Sequence, residues 1–264
     1  MIKSIDHILI HTPTPEKTLD EIEKVFGIEA YVPLTQYSYF RSAMLCFGNV
    51  DIEIVEMGEK KGFEPYFYGV AFEPEKSSWE TVDALQTCTI AHTLPVRVHA
   101  EANNVSFSWT SISLGGFLDN TIKVPYGTNW MFGNNLYTHM MSRLFSTLMK
   151  SDTISKASVK DPGEASLFFC EYHDIAQENR AKVREIFLQN GGTYALTGVE
   201  AIMIEKEPNN RSWEKLGAPI SKDSAVLAFI QSDKNRLNHI RLSSRNSYYD
   251  KVIMIGDVKF VIGQ

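Results

Sequence analysis

The chain has 264 residues, of which 44% are hydrophobic and 11% aromatic, and it carries a formal net charge of −6. Such a chain is long enough to bury a sizeable core in one large domain or two smaller ones. The acidic balance excludes nucleic acid as a predicted partner, because phosphate binding needs a basic surface. There is no apolar run of ~18 residues and no signal-like start, so the sequence predicts a cytoplasmic protein without a membrane partner.

The first sixty residues change from a strand pattern to a helix pattern and back. Residues 5–12 are rich in Ile, Leu and Thr, which favours a β-strand. Pro15 suits the first position of a helix, apolar residues then recur at helical spacing, and Gly27 stands where a left-handed helix end belongs. Residues 37–57 are again typical of strands, with a hairpin break at Gly48. The predicted order is strand, helix, strands.

Two polar residues in these strands are candidates for a site. His7 lies one step inside the first strand, and Glu53 shares a face of a later strand with Asp51 and Val55, because strand side chains alternate. The imidazole and the carboxylate meet only if the two strands lie in one curved sheet. Such a pair is what a divalent transition metal or a polar substrate needs.

These segments resemble the glyoxalase-like proteins of the vicinal oxygen chelate superfamily. The resemblance is carried by DHILI in the first strand, by the helix that ends in FGI, and by FGNVDIEIVE. It implies an α+β fold in which repeated β-α-β-β-β modules form a cupped mixed sheet. In that family the first-strand histidine and the glutamate of a module's last strand are common metal ligands, roles that would fall to His7 and Glu53.

The resemblance extends to a second module. PYFYGVAFEP at 65–74 looks like the next first strand, and SLFFCEYHD at 166–174 looks like the closing strand. Residues 1–174 are then a pair of modules, 1–62 and 63–174. A helical insertion is predicted at about 120–165, where a Met-rich apolar face suggests core, a homodimer interface or a lid over a cavity.

The second module supplies a further candidate ligand and lacks another. The resemblance implies that Glu171 is the third metal ligand and the catalytic carboxylate. Where metal-binding members often have a fourth ligand, a histidine, this sequence has Phe67 or Tyr68. His173 and His239 are the first candidates for a replacement.

The remaining chain, 175–264, repeats the strand and helix pattern and is predicted to be a structural third module that continues the sheet. Aligning VEAIMI with IDHILI places Ala201 opposite His7, so this copy lacks the first ligand. The cysteines lie far apart in apolar stretches and are predicted to be free thiols rather than a disulfide framework or a zinc site; they are Cys46, Cys88 and Cys170.

The residues leave two function classes open. In the first, a metal such as Zn, Ni, Mn or Fe held by His7, Glu53 and Glu171 polarises neighbouring oxygens of a small substrate, as in lyase, isomerase or dioxygenase chemistry. In the second, the cup binds a small molecule without a metal, as bleomycin-resistance-like proteins do. In either class the predicted ligand-binding aromatics are Tyr39, Phe67, Tyr68 and Trp109. A purely structural dimerisation module is the third alternative.

Overall fold

The strands of the chain form two separate β-sheets. The computed structural model describes residues 1–37, 40–58, 62–102, 105–119, 165–172, 176–246 and 250–263. Within these ranges there is one mixed sheet of nine strands and another of five. No helix in the described ranges is both long enough and apolar enough to cross a membrane.

The first module has the predicted order. It consists of β1 (Ile2–His11), α1 (Pro15–Phe26), β2 (Ala30–Gln36), β3 (Phe40–Phe47) and β4 (Val50–Met57). Helix α1 begins at a proline and ends at Gly27 in the left-handed conformation, with φ 64°. Strand β1 pairs in parallel with β4, and the register places Leu9 opposite Glu53. The predicted neighbourhood of these two strands is therefore confirmed.

The second module repeats this arrangement. It consists of β5 (Tyr66–Pro74), α2 (Ser78–Thr87), β6 (Ala91–His92), β7 (Val96–Ala102), β8 (Val105–Gly115) and β9 (Ser166–Tyr172). Strand β9 is parallel to β5, as β4 is to β1, and β1 and β5 pair antiparallel at the centre. The strand order is β2-β3-β4-β1-β5-β9-β8-β6, with β7 also paired to β8. The predicted helical insertion lies outside the described residues.

The curled sheet has two distinct faces. One face carries α1 and α2 and belongs to the main core, with fully buried Ile8, Ile52 and Phe72 among its residues. The other face is concave and carries neither of these helices. We call it the cup and define it by a second apolar cluster: Leu9, Val55, Tyr66, Tyr68, Ala71 and Cys170, with partly buried Phe40, Met57, Phe63, Trp109, Phe168 and Tyr172 packed against them.

The C-terminal part forms its own sheet, so the prediction that 175–264 continues the cupped sheet is wrong. It consists of α3 (Ala176–Asn190), a 3-10 turn (Gly192–Tyr194), β10 (Leu196–Lys206), α4 (Ser212–Leu216), β11 (Val226–Gln231), β12 (Arg236–Ser244), β13 (Lys251–Ile255) and β14 (Val258–Ile262). The strand order is β11-β10-β12-β14-β13. The physical reason is that the long strand β10 uses both of its edges inside this part of the chain, pairing with β11 and β12.

The second sheet repeats the centre of the first. In the β1–β5 pair the register breaks between Ile5 and His7, and in the β10–β12 pair it breaks between Val199 and Ala201. The other register breaks correspond as well. Each break in the β10–β12 pair lies 194 positions after its counterpart in the β1–β5 pair; the break between residues 203 and 204, for example, corresponds to that between residues 9 and 10. This confirms the predicted alignment of Ala201 with His7 and shows that β10 is the structural equivalent of β1.

The two sheets share one core. Phe260 of β14 packs edge-on against Phe26 of α1, with ring centroids 5.1 Å apart. At the β3–β4 turn, the Asn49 side chain donates to the Val199 carbonyl and accepts from the Val199 amide, at 3.0 and 2.8 Å. A Cβ on Gly198 would lie 2.6 Å from the Asn49 side-chain oxygen, so this approach requires a glycine.

The cysteines are free thiols, as predicted. Cys46 and Cys170 are buried and Cys88 is half-buried, and none forms a disulfide. Burial raises the pKa of the Cys46 thiol to about 11, with the Asp51 charge adding to the effect. Cys46 and Cys170 are therefore packing residues, because a buried thiol with a raised pKa is a poor nucleophile.

Candidate functional site

His7 and Glu53 meet on the floor of the cup. The two residues lie on adjacent strands, β1 and β4, with both side chains on the concave face. The His7 Nε2 atom lies 3.4 Å from a Glu53 carboxylate oxygen. His7 is 4% exposed, whereas the Glu53 side chain is 15% exposed and is the more accessible of the two. The sequence prediction that this pair converges on one site is supported by this geometry.

The other ring nitrogen of His7 is held by its neighbour in sequence. The Nδ1 atom lies 2.6 Å from a carboxylate oxygen of Asp6, which is itself buried. Asp6 can turn back toward His7 because the β1–β5 register breaks between Ile5 and His7, which places Asp6 in a bulge. The same Asp6 oxygen accepts a hydrogen bond from the Tyr172 hydroxyl at 3.2 Å. The contact between Asp6 and Nδ1 therefore fixes the orientation of the imidazole ring.

Arg180, which lies on α3 outside the paired modules, forms ion pairs with two carboxylates of this network. Its Nη1 donates to Asp6 at 2.7 Å, and its Nε and Nη2 atoms lie 2.8 and 2.6 Å from one oxygen of Asp51. That Asp51 oxygen also accepts from the Tyr31 hydroxyl at 2.9 Å. The guanidinium carbon lies 5.6 Å from the centre of the Tyr172 ring, a cation–π arrangement. One arginine thus forms ion pairs with two buried carboxylates that stand beside His7.

The charges of this network control the protonation of His7. Burial alone would lower the pKa of His7, but the hydrogen bond to Asp6 and the charges of Asp6 and Glu53 outweigh it and raise the pKa. Burial opposes ionisation of Asp6 as well, yet Arg180 and His7 hold its pKa well below its usual range. The geometry therefore favours an imidazolium placed between two carboxylates.

Glu171 does not join His7 and Glu53, which corrects the predicted three-residue set. Because strand side chains alternate, Cys170 and Tyr172 of β9 face the cup and Glu171 faces the other way. Its carboxylate accepts hydrogen bonds from the amide and the hydroxyl of Ser78 at the beginning of α2, with the amide at 2.9 Å. Its role is that of a helix N-terminal anion partner.

Glu171 also lines a different cavity. This open, polar cavity of about 810 Å³ lies at the end of the sheet, and its walls include Lys3, Glu73 and Arg184. Asp6 and Arg180 of the network and Cys170 and Tyr172 of the cup also line this cavity, whereas His7 and Glu53 do not.

We expect Glu171→Ala to cost about 1 kcal/mol of unfolding free energy, the usual price of losing a helix N-terminal acceptor. The change should leave ligand binding in the cup unaltered, since the side chain lies on the opposite face. Chemical denaturation and a binding titration of the same variant check both statements. If the variant stayed folded but no longer bound ligand in the cup, Glu171 would belong to the site after all.

The predicted ligand-binding aromatics divide between the two faces. Tyr68 and Trp109 lie in the cup, as predicted. Phe67 belongs to the main core on the opposite face, so its prediction is wrong; it alternates with Tyr66 and Tyr68 along β5. Tyr39 lies outside the described residues.

The replacement histidines do not complete a ligand set. His173 lies outside the described residues. His239 lies on β12 of the second sheet, where its Nδ1 atom is 2.5 Å from the Asn238 side-chain oxygen. A different histidine, His11, lies in the cup, but Tyr66 and the backbone of Met57 occupy its two ring nitrogens.

The donors in the cup do not fit a resident metal centre. Within the described part of the chain, no three His, Cys, Asp or Glu side chains are grouped so that they could hold a metal ion. His7 and Glu53 supply two donors, and a protein-held zinc site needs three or four at about 2.0–2.3 Å. The raised pKa of His7 also disfavours metal binding, because a metal must compete with a proton for Nε2.

The residues that organise the site were not among those predicted from the sequence. Asp6 and Asp51 were visible beside the chosen residues, and alternation correctly put Asp51 on the Glu53 face. Arg180 had a weaker signal: it recurs with Arg184 one turn later on a helix that also buries Phe187. Residues four positions apart share one side of a helix, so this spacing places both arginines on the side of Phe187.

Comparison with known proteins defines the fold. No protein-family model and no curated protein matches the sequence. A hypothetical protein from Staphylococcus aureus superposes with a TM-score of 0.60 at 10% identity, over 99% of each chain. Homoprotocatechuate 2,3-dioxygenase from Arthrobacter globiformis superposes with a TM-score of 0.50 at 11% identity, over 99% of this chain and 80% of that chain. A point mutant of the Brevibacterium fuscum enzyme gives 0.50 at 9% identity, over 100% and 71%.

These similarities confirm the predicted α+β fold with a cupped mixed sheet, which is the fold of the vicinal oxygen chelate superfamily. The identities of 9–11% are too low to transfer an activity from these proteins. Function therefore has to be argued from the residues of the cup.

Proposed function

We propose that the cup of the first sheet binds a small molecule without a resident metal ion. The observation that carries this proposal is the placement of the His7–Glu53 pair on the floor of a concave face with aromatic walls. Concave apolar surfaces with a few fixed polar groups are the usual form of small-molecule sites. The aromatic walls supply contact area, and the polar pair orients the ligand.

The organisation of the floor supports binding rather than packing alone. Arg180 and Asp6 hold the imidazole in one orientation, so a ligand meets polar groups whose positions are already fixed. Such pre-organisation lowers the entropic cost of binding. A structural dimerisation module would not need a polar network of this kind beneath its apolar face.

The metal-dependent class is the less favoured alternative. Its three predicted ligands are divided between the two faces of the sheet, since Glu171 bonds to Ser78 while His7 and Glu53 share the cup. In the described part of the chain, the donors that remain are too few for a protein-held metal.

The proposal is tested by screening a library of small aromatic molecules, using ligand-observed NMR followed by calorimetry. One sample is treated with a chelator and others are loaded with Zn, Ni, Mn or Fe. We expect ligands whose affinity is the same in the chelated and the loaded samples, and elemental analysis with metal well below one ion per chain. Stoichiometric metal, or binding that appears only with metal, would favour the alternative class.

A further inference from the structure

We infer that the ligand of the cup carries a positive charge next to an apolar or aromatic group. This inference rests on the proposed function and narrows its ligand class to organic ammonium compounds. Three observations support it. The Glu53 carboxylate lacks a hydrogen-bond donor in the described part of the protein, the charges around it leave an excess of negative charge, and the walls of the cup are aromatic.

Glu53 is a mostly buried carboxylate that lacks a hydrogen-bond donor in the described part of the protein. Its nearest charged neighbour, the His7 Nε2 atom at 3.4 Å, is farther away than an ordinary charge-assisted hydrogen bond. The other two carboxylates of the network accept hydrogen bonds: Asp6 from His7 and Arg180, and Asp51 from Tyr31 and Arg180. A desolvated carboxylate with spare acceptor capacity favours a ligand that brings donors and positive charge.

The network is also short of positive charge. Three carboxylates, those of Asp6, Asp51 and Glu53, stand against two cations, His7 and Arg180, which leaves one net negative charge. In a partly apolar site such an excess is weakly screened, so it attracts a cation and repels an anion. Burial raises the pKa of the Tyr37 phenol, and the charge of Glu53 adds to this effect.

The walls of the cup suit an organic cation better than a hydrated metal ion. Aromatic rings attract ammonium groups over their faces, most strongly when the cation is desolvated. Phe168 lies edge-on to His7 at 5.8 Å, and Tyr37 stacks on Phe40 at 4.8 Å beside the Glu53 strand. A carboxylate surrounded by rings provides both an ion pair and cation–π contacts.

The experiment compares ligands that differ in charge and little else. Benzylammonium, benzyl alcohol and benzoate, with their naphthyl analogues, are titrated into the full chain at neutral pH by NMR. We expect the ammonium compounds to bind at least about tenfold more tightly than the alcohols, and the carboxylates to bind most weakly. Glu53→Gln should remove this preference while retaining alcohol binding, whereas Glu171→Gln, a carboxylate on the other face, should leave it intact.

The outcomes separate the two proposals. Equal affinity for ammonium and alcohol, tighter binding of the carboxylate, or an unchanged preference in Glu53→Gln would overturn the charge inference alone. A lack of binding throughout this series and throughout the wider library would overturn the proposed function and the inference with it. Circular dichroism of each variant confirms that a lost preference is not a lost fold.

Discussion

Replacing Arg180 with alanine is expected to lower the free energy of unfolding by about 3–5 kcal/mol, the range observed when one partner of a buried charge network is removed. Its guanidinium bridges Asp6 and Asp51, and all three side chains are at most 14% exposed. Without Arg180, two buried carboxylates would stand close together with hydroxyl donors and His7 as their remaining partners. Urea denaturation followed by circular dichroism measures the change.

The control for this variant is one helical turn away. Arg184 lies on the same helix, and its Nε atom has no hydrogen-bond partner in the described part of the chain. Arg184→Ala should therefore cost about 1 kcal/mol or less. If the Arg180 effect arises from the bridge, adding Asp51→Asn to Arg180→Ala should cost less than the sum of the separate changes. Equal stabilities of the two arginine variants would show that the bridge contributes nothing.

The central strands could be predicted because their signals are local. A strand of alternating pattern, a capped helix and a hairpin glycine fix the order of the first module within sixty residues, and the alternation of β4 assigns Glu53 to the face of Asp51. The structure bears this out through the parallel β1–β4 register. Local chemistry was sufficient because each of these elements pairs with a partner close in sequence.

Glu171 shows why the same reasoning failed elsewhere. A side chain changes face when a strand is shifted by one residue, and the apolar neighbours of Glu171 on both sides gave no means of choosing the face. The choice is made by Ser78 and the beginning of α2, which are 93 positions away in sequence. The role of Arg180 was missed for a similar reason, since its partners Asp6 and Asp51 belong to strands that precede it by more than a hundred residues.

The separate second sheet was not predictable from pattern alone. The segment that begins at Leu196 has the same apolar alternation as β1, and a strand of that kind can extend an existing sheet or start a new one. The outcome depends on which edges are free when the chain arrives. Strand β10 finds its partners in β11 and β12, within its own half of the molecule.

The second large effect is expected at His7, which is 4% exposed and paired with buried Asp6. We expect His7→Ala to cost about 1–3 kcal/mol near pH 6, because a charged hydrogen bond is lost and a small cavity is created. Asp6 would retain Arg180 and Tyr172 as partners, so the variant should still fold. His7→Gln, which preserves a donor without the charge, should cost less.

The cost of losing His7 should depend on pH in a defined direction. In the unfolded chain its pKa is near 6.5, and in the folded chain Asp6 and Glu53 raise it despite burial. Folding therefore favours the protonated form, so the contribution of His7 is complete below about pH 6.5 and is lost as the pH rises through the higher folded value. We expect the difference between wild type and His7→Gln to shrink over that interval in urea titrations from pH 5 to about 9.

A histidine on the second sheet provides a control of opposite sign. Burial, with the charges of Lys259 and Arg241, lowers the pKa of His239. His239 therefore weakens the fold as the pH falls below about 6.5, and His239→Gln should gain stability relative to wild type under acidic conditions. If the two histidine variants showed the same pH trend, the opposite pKa shifts of His7 and His239 would be disproved.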